Sequence, residues 1–144
     1  MVYKKELKNP HMKKFLMIFL LTIGFALNTY ADDVTWFQAT QYSSAKCNNG
    51  QWTWSNWYDC SVRIKIVITN KTARMVMYGS TTRTYKLNPY TLCHYTDPNG
   101  APAFSVCAKN SKGQACVIKF HPAPTNQIYV CYKYKSYAYS VYQR

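Results

Sequence analysis

General acid–base chemistry near neutral pH needs histidine and carboxylate side chains within reach of one another. Past residue 31 the chain offers His94, His121, Asp32, Asp33, Asp59 and Asp97 for that work, and no glutamate at all. His94 and Asp97 stand in one segment, Cys93-His94-Tyr95-Thr96-Asp97, which reads as a loop, and loops often carry sites. A nucleophile to complete them is missing. There is no Gly-x-Ser-x-Gly elbow, and a cysteine nucleophile would have to stand outside a disulfide framework. The pair therefore reads as a surface histidine beside a turn aspartate, and no catalytic residue and no enzyme is expected. A metal site can be written down from Cys93, His94, Cys107 and Cys116, but no Cys-x-x-Cys or His-x-x-x-His spacing supports it. Gly50, Gly79, Gly100 and Gly113 are isolated, so no glycine-rich phosphate loop forms. Neither a metal nor a cofactor is expected.

Binding chemistry is better represented. Residues 32–144 hold 13 of the 18 basic side chains against four acids, a net charge of +9. Such an imbalance favours anionic partners: an anionic polysaccharide, a nucleic acid or a cell-surface glycan. The same stretch carries 12 of the 14 tyrosines and all four tryptophans, rings that suit both a β-sheet core and a recognition surface. Basic residues interleave with tyrosines at Arg63 and Tyr78, at Arg83-Thr84-Tyr85-Lys86 and at Tyr132-Lys133-Tyr134-Lys135. Cations that track charge and rings that stack are what a polyanion needs. Trp52, Trp54 and Trp57 lie between Cys47 and Cys60. They read either as a stacking platform or as a cap on one end of a small barrel. The expected ligand-binding residues are Arg63, Lys65, Tyr78, Tyr129 and Lys133, with Trp52 and Trp54. A barrel carrying an apolar ligand in its mouth, or a structural protein pairing exposed strand edges, is the alternative.

The elements that must position these residues follow an export signal. Lys4, Lys5, Lys8, Lys13 and Lys14 precede an apolar run, Phe15 to Leu27, which ends in Asn28-Thr29-Tyr30-Ala31. Positive, apolar and then small-residue segments in that order make a secretory signal, with cleavage expected before Asp32. A run of 13 residues would span only about 20 Å as a helix, short of a membrane core. Met12 is a second candidate start, since Met12 to Ala31 alone has ordinary signal proportions. Residues 32–144 then form one domain, with no transmembrane segment left, in the periplasm or the medium. All six cysteines (Cys47, Cys60, Cys93, Cys107, Cys116 and Cys131) lie in it. An even count behind an export signal predicts a disulfide framework, its pairing open among fifteen possibilities.

No helical period is sustained, and short alternating runs recur between turn signals, so the fold expected is all-β. It would be a single small antiparallel meander, barrel or sandwich, of about eight or nine strands, disulfide-stabilised. The clearest hairpin joins Ser61–Thr69 to Thr72–Gly79 through Asn70-Lys71, setting Ile66 against Met75, Ile64 against Met77 and Arg63 against Tyr78. Thr82 to Leu87 is a short strand, and Pro89 to Pro102 is irregular, with a turn at Asp97-Pro98-Asn99-Gly100. Ala103 to Lys109 and Gln114 to His121 follow, with Val106 opposite Val117 and Cys107 opposite Cys116, close enough for a disulfide. In the last hairpin Tyr134 meets Tyr137, Tyr132 meets Tyr139 and Val130 meets Val141, turning at Lys135-Ser136. Val34 to Tyr42 and Gln51 to Trp57 complete the strands.

The block Trp52-x-x-x-x-Trp57-x-Asp59-Cys60-x-Val62-x-Ile64, with Tyr78-Gly79-Ser80 and Gln127-Ile128-Tyr129-Val130, resembles segments of a family of small exported bacterial all-β proteins of unassigned function. The resemblance covers residues 50–142 and implies an exported all-β domain and no catalysis. Those relatives are more acidic, and the basic surface here departs from them.

Overall fold

A computed structural model describes residues 33–69 and 72–144. The export signal expected over residues 1–31 lies outside the described residues, as does the Asn70-Lys71 turn. Nine strands run in sequence: β1 (Asp33–Asn48), β2 (Gln51–Trp54), β3 (Tyr58–Ile68), β4 (Ala73–Tyr78) and β5 (Thr82–Thr96), then β6 (Pro102–Asn110), β7 (Ala115–His121), β8 (Gln127–Cys131) and β9 (Lys135–Gln143). Every pairing is antiparallel, each strand from β3 onward pairs with the next, and β1 pairs with both β3 and β9. The result is a closed eight-stranded barrel, with β2 as one extra strand on the edge of β1, so the sandwich alternative is set aside. Among the described residues there is no helix, and none long and apolar enough to cross a membrane.

An eight-stranded barrel leaves an interior just wide enough for side chains to fill. Here Phe37, Phe104, Phe120, Ile64, Ile118 and Ile128 fill it, each at most 2% exposed. Alternation supplies them. In β3, Ile64, Ile66 and Ile68 point inward while Arg63 and Lys65 point out. The β3–β4 hairpin has the expected register, Ile66 opposite Met75, Ile64 opposite Met77 and Arg63 opposite Tyr78. Beyond the ladder, the Thr69 N–H donates to the Thr72 carbonyl at 2.8 Å.

Three expectations are corrected. Residues 89–96 are not an irregular stretch, because β5 continues to Thr96 across a bulge between Asn88 and Cys93. Asn88 builds that bulge: its side-chain oxygen accepts from the Tyr90 N–H at 3.1 Å and its carbonyl from the Thr91 hydroxyl at 2.7 Å. A bulge frees residues from the ladder, so Pro89, which has no N–H to give, costs nothing there.

In the second correction, the β6–β7 register sits one residue away from the expected one. Asn110 and Gln114 close a three-residue loop: the Asn110 N–H donates to Gln114 O at 3.0 Å and the Gly113 N–H to Asn110 O at 2.9 Å. The Asn110 side-chain oxygen accepts from both the Lys112 and Gln114 N–H groups, and Gly113 takes the left-handed conformation, φ +78°. This is the three-residue hairpin loop that ends in a left-handed residue. It sets Val106 against Ile118, Cys107 against Val117 and Ala108 against Cys116. An added methyl at Gly113 would meet nothing, so Gly113→Ala is expected to cost only the backbone term, roughly 1–2 kcal/mol. Urea denaturation checks this, with a lower midpoint at unchanged slope.

Third, the β8–β9 turn falls at Lys133-Tyr134, closed by a Tyr132 N–H to Lys135 O bond of 2.7 Å. Val130 therefore opposes Tyr137 and Ile128 opposes Tyr139, and the Tyr134–Tyr137, Tyr132–Tyr139 and Val130–Val141 pairs do not form. The displacement is an even number of residues, so the buried face is the expected one.

The disulfide expectation has no support either. All six cysteines are free thiols, with no two sulfurs at bonding distance. The one-residue difference at β6–β7 turns Cys107 outward and Cys116 inward. Cys47 opposes Trp52, whereas Gln41 opposes Asp59. Cys47 and Cys60 are thus separated by roughly 20 Å along β1 at about 3.3 Å per residue.

Candidate functional site

Arg63, Lys65 and Tyr78 come together on the outer face of β3 and β4, around a residue that sequence reasoning did not single out. Trp36 on β1 pairs with Lys65, and Arg63 pairs with Tyr78. The Trp36 and Tyr78 rings stack across β3, centroids 5.9 Å apart and planes at 29°. The Arg63 guanidinium lies 5.7 Å from the Trp36 ring and 5.6 Å from the Tyr78 ring, and Lys65 Nζ lies 5.5 Å from Trp36. Cations at these distances are attracted by the ring faces, about 0.5–1 kcal/mol for an exposed pair, and their long side chains are held rather than free. Each of the two described acids whose side chain is placed is engaged elsewhere: Asp59 with Gln41, and Asp97 with Thr125, Asn99 and Ala101. The sequence signal for Trp36 was its inward–outward alternation with Phe37 in β1, which becomes informative once the β1–β3 register is known.

Tyr129 and Trp54 belong to another part of the surface. Their rings meet edge-on at 6.1 Å, and Tyr129 lies 4.7 Å from the His121 ring. The Tyr129 hydroxyl donates to the Gln127 side-chain oxygen. Tyr95 shares a 2.5 Å hydrogen bond with His121 Nε2, while Nδ1 is buried without a partner. Beneath Trp54, the Ser43 hydroxyl donates to the Ser55 carbonyl, and Ser55 N–H returns to Ser44 O, fixing the edge hairpin to β1. Trp52 and Trp54 are 44% and 45% exposed, so they do not cap the barrel interior. Lys133 stands in the β8–β9 turn, its Nζ 5.3 Å from the Tyr134 ring. The strand order places β3–β4 and β7–β8 on opposite sides of the barrel. The seven expected residues thus form three clusters and not one face.

The His94–Asp97 pair is not built. Asp97 is 4% exposed and is consumed by its own turn, accepting from the Asn99 N–H at 2.8 Å, the Ala101 N–H at 2.9 Å and the Thr125 hydroxyl at 2.7 Å. Burial acts to raise its pKa, but these hydrogen bonds outweigh it and hold the carboxyl below its ordinary value. The histidine that feels Asp97 is His121, whose pKa burial lowers, with Lys119 adding to the effect and Asp97 opposing it. The thiols are similarly quiet: burial, with Cys131 nearby, pushes Cys116 up to about 11, and burial followed by Asp59 raises Cys60. A protonated thiol is a poor nucleophile. Among the described residues no three metal-ligating side chains converge.

A further basic position emerges at the barrel end where the β4–β5, β6–β7 and β8–β9 loops gather. Arg83 pairs with Met77 and shares the inward parity of Tyr85 and Leu87. Two open pockets of about 610 and 530 Å³ meet at Arg83 and Tyr137, which line both. Compared with protein-family models, with curated proteins and with solved structures, the chain matches none of them. The likeness drawn on Trp52, Trp57, Asp59 and Cys60 stays a likeness of residues, and the site is read from its own geometry.

Proposed function

We propose that the protein is an exported, non-enzymatic binding module that engages an anionic polymer, an acidic polysaccharide or cell-surface glycan. The export reading rests on the signal-like residues 1–31 and places the domain in the periplasm or the medium. The observation that carries the binding reading is the outer face of β1, β3 and β4. There Arg63 and Lys65 are held over the stacked Trp36 and Tyr78 rings, while Asp59 hydrogen-bonds Gln41 and Asp97 is bound within its own turn. Fixed cations beside ring faces suit a chain of charged sugars, which offers both anions and stackable rings. Tyr129, Trp54 and Lys133 fall outside this footprint. The carrier alternative fits less well, because the barrel centre is filled by Phe37, Phe104 and Phe120.

The test is retention on a heparin column against a matched cation-exchange resin. The protein should elute from heparin at distinctly higher salt than from the resin. The Arg63→Ala/Lys65→Ala double variant should lose that difference, its affinity falling less steeply with salt by a log–log slope of roughly two. Equal elution from both supports would reduce the charge to a generic one. Stronger retention on single-stranded nucleic acid than on heparin would reassign the polymer.

A further inference from the structure

The inward-facing arginine at the barrel mouth carries a second site, independent of the outer face. The inward positions that neighbour it on β4 and β5 are apolar or aromatic: Met75, Met77, Tyr85 and Leu87, all buried. Arg83 departs from these neighbours at the rim, where a guanidinium can enter the mouth and remain hydrated. Its charge is felt at the hydroxyls of Tyr85 and Tyr139. Burial raises both tyrosines, Tyr139 to about 12, and Arg83 acts against the rise in each. No acid answers it. Asp59 and Asp97 are engaged elsewhere, and rim residues Lys112, Lys133 and Lys135 add charge of the same sign around one of the two pockets. A charge at this exposed rim position, lining two pockets walled in part by tyrosines, is placed to meet an anionic ligand.

The surroundings limit what that ligand is. The Tyr132 and Tyr137 rings stand edge-on at 6.5 Å, offering a ring face, and Asn110 Nδ2 holds the Tyr132 hydroxyl at 3.2 Å. The mouth is therefore walled by ring faces with ordered polar tips, the lining that sugar rings use, and barrel mouths are common small-ligand sites. The two pockets lie on either side of Arg83, each with room for one sugar ring. From this geometry we propose that the barrel mouth binds an anionic disaccharide, its carboxylate paired with the Arg83 guanidinium and one ring in each adjoining pocket. A planar guanidinium matches a carboxylate in two parallel hydrogen bonds, so the acid group sets the position and the tyrosines set the orientation of the rings.

The experiment titrates the full-length mature protein, residues 32–144, with a glucuronate-containing disaccharide while tyrosine ring signals are followed by NMR. Cellobiose serves as the neutral ring control and inorganic sulfate as the charge-only control. Saturable shifts are expected at Tyr85, Tyr137 and Tyr139 with the acidic disaccharide, and neither control should bind as tightly. Arg83→Gln should weaken binding by about tenfold or more, the loss of a charge-assisted pair. Arg83→Lys should recover part of it. Arg83 is exposed, so these variants are expected to fold, and an unchanged spectrum away from the mouth checks that. Arg63→Ala/Lys65→Ala should leave the disaccharide titration unchanged, which separates this site from the outer face. Equal binding of cellobiose or sulfate, or an Arg83→Gln variant that binds as the parent does, would overturn the proposal.

Discussion

Replacing Phe104 by alanine is expected to remove about 3–5 kcal/mol of stability. Phe104 is fully buried and stacks on Phe120 across the β6–β7 pair, centroids 4.6 Å apart and planes at 16°. The loss combines the transfer of a large ring from water with a cavity that a closed barrel cannot collapse, because each strand is held on both sides. A domain of this size has a total stability of about 5–15 kcal/mol, so the variant is expected to stand near its unfolding threshold. Its thermal midpoint should fall by roughly 15 °C or more. Trp52→Ala is the matched control: a larger ring, 44% exposed on the edge strand, whose removal is expected to change stability by about 0.5 kcal/mol or less. Urea denaturation of both variants decides the matter. A Phe104→Ala loss no larger than that of Trp52→Ala would mean that the interior is not the well-packed core described.

Strand identity was legible in this sequence because inward and outward residues alternate, and alternation survives any even error in register. Val62, Ile64, Ile66 and Ile68 against Arg63 and Lys65 defined β3, and the two-residue spacer to Thr72 then fixed the pairing with β4. Where a turn had several candidate centres, the pattern could not choose. Lys133-Tyr134 and Lys135-Ser136 both place Val130 inward, and only closure of β9 onto β1 separates them. At β6–β7 the deciding fact was local: Asn110 satisfies two N–H groups and Gly113 adopts positive φ, which shortens the loop from four residues to three. That single residue moved Cys116 inside and removed the disulfide expected of it. The binding residues were harder still. Arg63 and Tyr78 adjoin because hairpin partners are legible, whereas Trp36 joins them through a pairing between segments far apart in sequence, and Tyr129 leaves them because closure carries β8 round to the other side. Arg83 was visible as a basic residue beside Tyr85, but its inward direction at the mouth depends on the barrel being closed.

Acid is expected to unfold this domain in two stages, and the sign follows from two groups on one side of the barrel. His121 is buried among Tyr95, Tyr129 and the chain near Asp97. Burial, with Lys119 adding, disfavours its charged form more than Asp97 favours it, so its folded pKa lies below the ordinary 6.5. The unfolded chain then takes up a proton on falling below pH 6.5 while the folded protein does not. The stability that neutral His121 contributes is full above 6.5 and is lost as pH falls toward its folded pKa. Asp97 works at lower pH. Its folded pKa is held below 3.8 by the Ala101, Thr125 and Asn99 donors despite burial, so its contribution is full above 3.8 and is lost as pH falls through the folded value. Urea midpoints measured from pH ~8 to ~3 should show a first decline beginning near 6.5 and a second one below 4. His121→Phe should reduce the first decline, leaving the part that burial of His94 contributes, while lowering stability at pH ~8 by about 1 kcal/mol, since the Tyr95 hydroxyl loses its partner. Asp97→Asn keeps an acceptor for the turn but cannot titrate, so it should start lower and flatten the second decline. A parent protein whose midpoint stays level down to pH ~4 would show that His121 takes up its proton in the fold as readily as in the unfolded chain, and its Nδ1–H would then require an acceptor that the described arrangement does not give it.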